Sequence, residues 1–194
     1  MSSAPRLATL ALAALLALPG VASAQSRYSS QPSMRLGGLI GFDSGDLDGL
    51  ALRLDGELDL QRISPNVTLV GVGSVGWSHL SDDLGYGYDV TNDVFTIMPA
   101  ARLAVALAPQ VGVYGDLGLG LYHASLEVDV PDPFTGLRRT VDDSATGLAM
   151  RIGAGAYFNI APKVRLVGEI ALHPYFGDYD DDTFTFMVGA TFGL

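Results

Sequence analysis

The sequence predicts an all-β fold, an eight-stranded antiparallel up-and-down transmembrane β-barrel preceded by a cleaved signal peptide. Three observations lead to this prediction. Apolar and polar residues alternate through eight long segments. Three similar stretches that contain proline, Ile63–Val67, Leu107–Val111 and Ile160–Val164, separate pairs of these segments. No run of about 20 apolar residues follows the N-terminal leader, so no membrane-spanning helix is expected.

The leader, Met1–Ala24, has the pattern of a signal peptide. Arg6 supplies the positive charge, Leu7–Leu18 the apolar stretch and Ala22–Ala24 the small-residue cleavage site. A membrane helix is the alternative, but this apolar stretch is shorter than the roughly 20 residues such a helix needs. The chain has no cysteine, so neither a lipid anchor nor disulfides are expected. Residues 25–33 form a polar lead-in, and residues 34–194 form the barrel.

Eight segments follow the lead-in, and most reach the roughly 9–11 residues that a tilted membrane strand needs. The predicted strands are Met34–Phe42, Leu47–Gln61, Val67–His79, Val94–Leu107, Val111–Val128, Thr146–Ile160, Val164–Tyr175 and Thr183–Leu194. The second strand alternates most clearly, with leucines on one face and charges on the other. Its two sets are Leu50, Leu52, Leu54, Leu58 and Leu60 against Arg53, Asp55, Glu57 and Asp59. A helix would not place these two sets on opposite faces, so the segment is predicted to be a strand.

The remaining strands alternate in the same way, with one exception. In the third strand, the run Val70–Val72 leaves the phase open. The fourth strand opposes Phe95 to Arg102, and Pro99 is expected to weaken its ladder locally. The sixth strand opposes an apolar face to Arg151, and the eighth alternates phenylalanines with threonines and glycines. Eight is an even number, as is usual for bacterial membrane barrels of one chain.

The connections between the strands fall into two classes. Pro65, Pro109 and Pro162 lie in short turns at one end, since proline fixes φ and has no N–H to donate to a ladder. The other four connections, at the opposite end, are mostly longer: Asp43–Asp46, Leu80–Asp93, Asp129–Ser144 and Phe176–Asp182. Membrane barrels usually have short periplasmic turns and long external loops. The three prolines are therefore predicted to mark periplasmic turns.

Charge decides which face of the barrel points outward, because a soluble barrel would show the same alternation with its apolar face inside. The apolar faces carry no charge, and a lysine or arginine facing lipid would cost about 2–4 kcal/mol. The charges of the polar faces nearly balance, and ten arginines against a single lysine suit enclosed ion pairs. The predicted interior ion-pair residues are Arg53, Asp55, Glu57, Asp59, Arg102, Asp116, Arg151, Arg165 and Glu169. Arg102 and Asp116 lie equally far from Pro109, so they are expected to be neighbours across a hairpin.

The last strand carries the most specific resemblance. Over residues 34–194 the chain resembles the small eight-stranded outer-membrane barrels of the OmpA and OmpX type. Its final strand is similar to the signal read by the outer-membrane assembly machinery, which usually ends in phenylalanine. The residues concerned are Phe184, Phe186, Val188, Phe192 and Leu194. The resemblance implies an outer-membrane location, contact with lipid and lipopolysaccharide, and a structural or surface-interaction role such as adhesion or ligand binding by loops.

The acidic residues limit the partners. The formal net charge of −10 excludes nucleic acid as a partner. Most of the acid lies in the predicted external loops, where carboxylates suit divalent cations or are simply solvated; both interpretations stay open. Glu169 and His173 face the same side of one strand, but without a third ligand they predict no metal site. No cofactor is predicted.

Two alternative functions stay open. His79 with Ser81, and His123 with Ser125, form H-x-S pairs of the kind used by outer-membrane lipid A deacylases. In that motif an Asn follows, where this chain has Asp82 and Leu126, so the prediction is a protein that is not an enzyme. A narrow pore is the other alternative. Charged residues across so small an interior disfavour a general diffusion porin.

Overall fold

The computed structural model describes residues 33–83, 89–131, 138–177 and 182–194, in which eight antiparallel strands close into a ring. The strands are β1 (Met34–Ser44), β2 (Asp48–Ser64), β3 (Val67–Asp83), β4 (Asp89–Ala106), β5 (Val111–Pro131), β6 (Arg138–Ala161), β7 (Val164–Phe176) and β8 (Asp182–Gly193). Each strand pairs with its neighbour along the chain, and β8 pairs with β1. The predicted fold is confirmed. The signal peptide and all of the lead-in except Ser33 lie outside the described residues.

The alternation in the sequence becomes an apolar outer face and a polar interior. In β2 the Leu54 side chain is 68% exposed, while its neighbours Arg53 and Asp55 are 4% and 3% exposed. In the other strands most large apolar side chains also point away from the barrel, while a smaller apolar set that includes Leu39, Leu80 and Met98 packs inside it. In β3, whose phase the sequence leaves open, Val75 and Trp77 lie on the outer face and Ser74 is buried. A surface of this kind belongs in hydrocarbon.

The register fixes the size of the barrel. When register partners are followed from Met34 through all eight strands, the path returns to β1 at Ser44, ten residues further along the chain. This stagger tilts the strands, and eight tilted strands leave an interior just wide enough for side chains to fill. No helix among the described residues is long and apolar enough to cross a membrane.

The turns and loops differ at the two ends. Pro65 and Pro162 each lie in a two-residue turn, and Pro109 lies in the short connection from β4 to β5. At the opposite end, two predicted loops are wrong in extent. Most of Leu80–Asp93 and Asp129–Ser144 is strand. Polar residues fill these stretches, so the apolar pattern ends well before the ladder does.

We call this continuation of four strands the β3–β6 extension: Leu80–Asp83, Asp89–Asp93, Ser125–Pro131 and Arg138–Ser144. Its longest part is the β5–β6 ribbon, which runs for seven residue pairs from Ser125 and Ser144 to Pro131 and Arg138. Pairing of β6 with β7 stops at Leu148, so the opposite edge of this part of β6 is not paired with β7.

Candidate functional site

The barrel interior holds an ion-pair network built on three buried arginines. Arg53 joins two strands, because its Nε lies 2.9 Å from Asp55 and its guanidinium reaches Glu169 on β7 at 2.6 Å. These groups are almost fully buried. A charge enclosed without water is tolerated only when it is paired and hydrogen-bonded, and Arg53 satisfies both conditions.

Arg102 is the hub of the network. Its guanidinium lies 2.6 Å from Glu57, 2.8 Å from Asp116 and 3.2 Å from Glu169. The guanidinium also stacks over the ring of Tyr114, 4.0 Å from the centroid, and the Tyr114 hydroxyl donates to Glu169 at 2.8 Å. Arg102 and Asp116 are register partners across the β4–β5 hairpin. One cation therefore ties four strands together.

The remaining interior arginines extend the network to both sides. Arg151 reaches Asp116 at 3.4 Å and donates to the Ser74 hydroxyl at 3.1 Å, which brings β3 and β6 into it. Arg165 lies 3.8 Å from Glu57 and stacks over Tyr157, 4.1 Å from the ring centroid. The Arg165 side chain is 18% exposed, so it lies at the edge of the network.

Arg35 is a member that sequence reasoning missed. It lies on β1, 3.1 Å from Asp59, and the Ser33 hydroxyl also binds this carboxylate. Asp59, predicted to lie in the interior, is 29% exposed and belongs to the end of the barrel that carries the proline turns. With Arg35 included, five arginines face five acids. The ten residues are Arg35, Arg53, Arg102, Arg151 and Arg165 with Asp55, Glu57, Asp59, Asp116 and Glu169.

Glycines make the room that the large interior side chains fill. A Cβ built on Gly153 would collide with the Asp116 carboxylate, and one on Gly155 would collide with the Tyr114 ring. Above the network, a pocket of only about 20 Å³ lies between Arg53, Thr96 and His173. A space of that size holds about one water molecule. The interior is packed with side chains where a channel would have to pass.

The packed interior predicts that the barrel does not conduct. We expect the purified protein in planar bilayers to show no discrete current steps, because ions would have to displace paired buried charges. The control is an open diffusion porin inserted under the same conditions. Reproducible unit conductance from this protein alone would contradict the closed interior.

The outer surface carries a second polar cluster, near the base of the β3–β6 extension. The Trp77 indole N–H donates to Asp93 at 3.2 Å, and His79 Nδ1 lies 2.9 Å from the same carboxylate oxygen. The two rings stack, with centroids 6.0 Å apart and an interplanar angle of 27°. We call these three residues the Trp77–His79–Asp93 cluster. His79 and Asp93 are 46% and 40% exposed.

The two H-x-S pairs differ in their surroundings. His79 has a carboxylate partner in Asp93, whereas His123 pairs with the Thr146 hydroxyl at 2.9 Å. Within the described part of the chain, no hydrogen bond joins either histidine to a serine. A serine nucleophile needs its hydroxyl within reach of the base. The histidines of the two pairs thus contact Asp93 and Thr146 and not the serines of their own pairs.

Glu169 and His173 do not act together. Glu169 belongs to the ion-pair network, while His173 packs beside Tyr175 and its Nε2 has no hydrogen-bond partner among the described residues. Across residues 33–83, 89–131, 138–177 and 182–194, no group of three His, Cys, Asp or Glu side chains is placed to hold a metal ion.

The sequence and the fold both match known proteins. A family model described as the outer membrane protein beta-barrel domain matches residues 10–192. The chain belongs to this family. It is therefore an integral outer-membrane protein that crosses the bilayer as a β-barrel. A search among curated protein sequences returned no match.

Solved structures agree with the family on the fold. A major outer membrane protein from Thermus thermophilus is 16% identical, with a TM-score of 0.57 over 83% of this chain and 99% of that one. Neisserial surface protein A is 14% identical, with a TM-score of 0.52 over 84% and 97% of the two chains. The outer membrane enzyme PagL is 15% identical, with a TM-score of 0.51 over 81% and 98%. These similarities concern the fold.

Proposed function

We propose that the protein has a structural and surface-interaction role without enzymatic activity, as a closed barrel that holds the β3–β6 extension at the cell surface. The observation behind this proposal is the length of the β3–β6 extension. A barrel that served only to span the membrane would not need a β5–β6 ribbon of seven further residue pairs. Loops and ribbons held by a rigid scaffold are where binding sites concentrate.

The edge of β6 beyond Leu148 supports an interaction role. Between Arg138 and Gly147 this strand pairs with β5 and has no register partner on β7. An extended peptide adds to such an edge through main-chain hydrogen bonds. The exposed Asp142 and Asp143 protect the edge from indiscriminate pairing, since like charges repel a second copy.

The orientation and assembly of the barrel belong to the same proposal. The turns with Pro65, Pro109 and Pro162 face the periplasm, and the extension faces the exterior, on the side of the lipopolysaccharide leaflet. The last strand is the segment that the assembly machinery binds. Its Met187 points inward, while five of its apolar side chains lie on the outer face, 48–69% exposed: Phe184, Phe186, Val188, Phe192 and Leu194.

Among the described residues His79 is bonded to Asp93 and His123 to Thr146, and neither is bonded to a serine. These contacts support a role other than lipid A hydrolysis. The solved structures of similar fold include a protein that is named for attachment. The attachment invasion locus protein of Yersinia pestis is 15% identical, with a TM-score of 0.51, in a complex with the heparin analogue sucrose octasulfate. We extend the role of attachment, but not that ligand, to this chain.

Removing the ribbon tests the proposal. Ser125 and Ser144 are register partners, so residues 126–143 are replaced by an Asn-Gly turn, which suits a two-residue hairpin. We expect cells that carry this variant to lose attachment to surfaces or host molecules, while the barrel unfolds at the same denaturant concentration as the unaltered protein. Attachment equal to that of the unaltered protein, at equal surface amounts, would contradict the proposal.

A further inference from the structure

The end of the barrel that carries the proline turns contains a polar cavity. Its volume is about 590 Å³, and Pro109 and Pro162 belong to its rim. Three cationic side chains line it: Arg35 of β1, Lys163 of the β6–β7 turn and Arg165 of β7. Among the described residues, no acidic side chain lines the cavity. Positive charge is therefore concentrated around this space.

The rim of the cavity is held by hydrogen bonds between different turns and strands. Asn159 of β6 donates its backbone N–H to the Gln110 carbonyl oxygen at 2.8 Å and its side-chain amide to the Pro109 carbonyl oxygen at 3.3 Å. The Gly193 N–H of β8 donates to the Lys163 carbonyl oxygen at 2.7 Å. A ligand that enters the cavity meets a preformed rim, so binding costs little ordering of the chain.

Arg165 is oriented in the cavity with its terminal nitrogens unused. Its Nε donates to the Asn159 side-chain oxygen at 3.1 Å, and its guanidinium stacks over Tyr157. The nearest acid, Glu57, lies 3.8 Å from one terminal nitrogen, which is too far for a hydrogen bond. Within the described part of the chain, neither terminal nitrogen has a hydrogen-bond partner. The stacking fixes the plane of a guanidinium that is free to bind a carboxylate through two parallel hydrogen bonds.

The charges beside Arg165 favour an anion with a single negative charge. Lys163 is exposed and has no ion-pair partner among the described residues. Arg35 is paired with Asp59 at 3.1 Å, and Glu57 is already bound by Arg102 at 2.6 Å. These two acids lie close to the cavity, so they repel a doubly charged phosphate more than a carboxylate.

We propose that this cavity binds the terminal carboxylate of a short peptide in the periplasm. Arg165 binds the carboxylate with its two terminal nitrogens, and Lys163 adds a second positive charge. Gln110 lines the same cavity, and its side-chain amide both donates to and accepts from a peptide group. A volume of about 590 Å³ is within the usual range for small-ligand sites. The periplasmic source of the ligand rests on the proposed orientation, with the proline turns on that side.

Calorimetric titration with two matched peptides tests the site. N-acetyl-dialanine has a free carboxylate, and its C-terminal amide differs from it only in that group. The mature protein in uncharged detergent micelles is titrated with each peptide and, separately, with inorganic phosphate. We expect saturable binding of the acid that added salt weakens, and binding of the amide and of phosphate that is weaker by about tenfold or more.

This titration separates the peptide site from the proposed surface role. Binding in micelles does not depend on the orientation of the barrel in the cell. The β5–β6 ribbon lies at the opposite end of the barrel, so its removal leaves the cavity intact. The peptide site and the surface role therefore fail independently.

Three variants assign the binding to the cavity. Arg165→Gln removes both the charge and the two terminal donors, and we expect a loss of affinity of about tenfold. Arg165→Lys keeps the charge without the planar fork, so it should bind nearly as weakly. Lys163→Gln removes only an exposed charge, and we expect a loss of about threefold. The matched control is Arg62→Gln, which makes the same change of charge at the same end but outside the cavity lining. It should bind as the unaltered protein does.

Four outcomes would contradict a carboxylate site. No saturable binding of the acid would remove the site, and equal affinity for the acid and the amide would show that the carboxylate is not recognised. Unchanged affinity in both Arg165→Gln and Lys163→Gln, with folding confirmed by heat-dependent migration in gels, would place the binding elsewhere. Tighter binding of phosphate than of the acid would make the cavity a phosphate site.

Discussion

Replacement of Arg102 by alanine should lower the free energy of unfolding by about 3–5 kcal/mol. The guanidinium lies within 3.2 Å of Glu57, Asp116 and Glu169, so its loss leaves three buried carboxylates short of a cation. The cost of an unpaired buried charge exceeds the value of the contact that was lost, because the remaining acids cannot regain water. Urea unfolding in detergent, followed by the emission of Trp77, measures the effect.

An exposed arginine provides the control for this experiment. Arg62 is exposed and donates to the Pro65 carbonyl oxygen at 2.6 Å. Its replacement by alanine should change the stability by less than about 1 kcal/mol, as is usual for surface positions. If Arg102→Ala unfolds at the same urea concentration as Arg62→Ala, the network does not stabilise the barrel.

Gly155→Ala should destabilise the barrel by about 3 kcal/mol or prevent its folding. The added Cβ would lie 2.6 Å from the Gly168 carbonyl oxygen and would collide with the Tyr114 ring. The backbone oxygen cannot turn aside as a side chain does, because it belongs to the β6–β7 ladder. Displacement of Tyr114 would also remove its hydrogen bond to Glu169.

The same substitution on the outer face is the matched control. Gly168 lies in the neighbouring strand, and a Cβ there has no atom within 4 Å. Gly168→Ala should fold with stability close to that of the unaltered protein. Equal loss of stability in the two variants would indicate a general cost of changing glycine in these strands, and the tight interior fit would then be refuted.

The sequence predicts the strands well wherever one face meets lipid. In β2 the leucine and charge alternation fixes both the strand and its facing, because only a period of two separates those residues. Beyond the membrane this signal disappears. Thr91 and Asp93 continue β4. Polar residues on both faces of a strand give the same sequence pattern as a loop. The predicted Leu80–Asp93 loop is therefore too long.

The interior network could be predicted only in part. Counting from Pro109 places Arg102 opposite Asp116, since a short turn fixes the register of its hairpin. Arg35 could have been found by applying the period of two within the predicted first strand, Met34–Phe42. The contacts of Glu169 with Arg53 and Arg102 could not be found, because β7 lies far along the chain from β2 and β4. Such contacts depend on the closure of the barrel.

The distribution of glycines is also explained only by the structure. Gly153 and Gly155 alternate with apolar residues in β6, and this pattern indicates only small residues that face inward. Their partners, Asp116 and Tyr114, lie on β5, and the fit follows from the side-chain directions of two strands. Sequence patterns give the face of each residue, but not the volume that its neighbour needs.

The leucine-rich faces contact hydrocarbon, and the charged faces enclose the axis of the barrel. Because the chain has no cysteine, single cysteines at Leu54, Ile97 and Val188 take one spin label each in bilayers, with Ala149 as an inward control. We expect frequent collision of the first three labels with oxygen and little with a water-soluble nickel chelate. Labels at Leu54, Ile97 and Val188 that collide with nickel and not with oxygen would contradict this orientation.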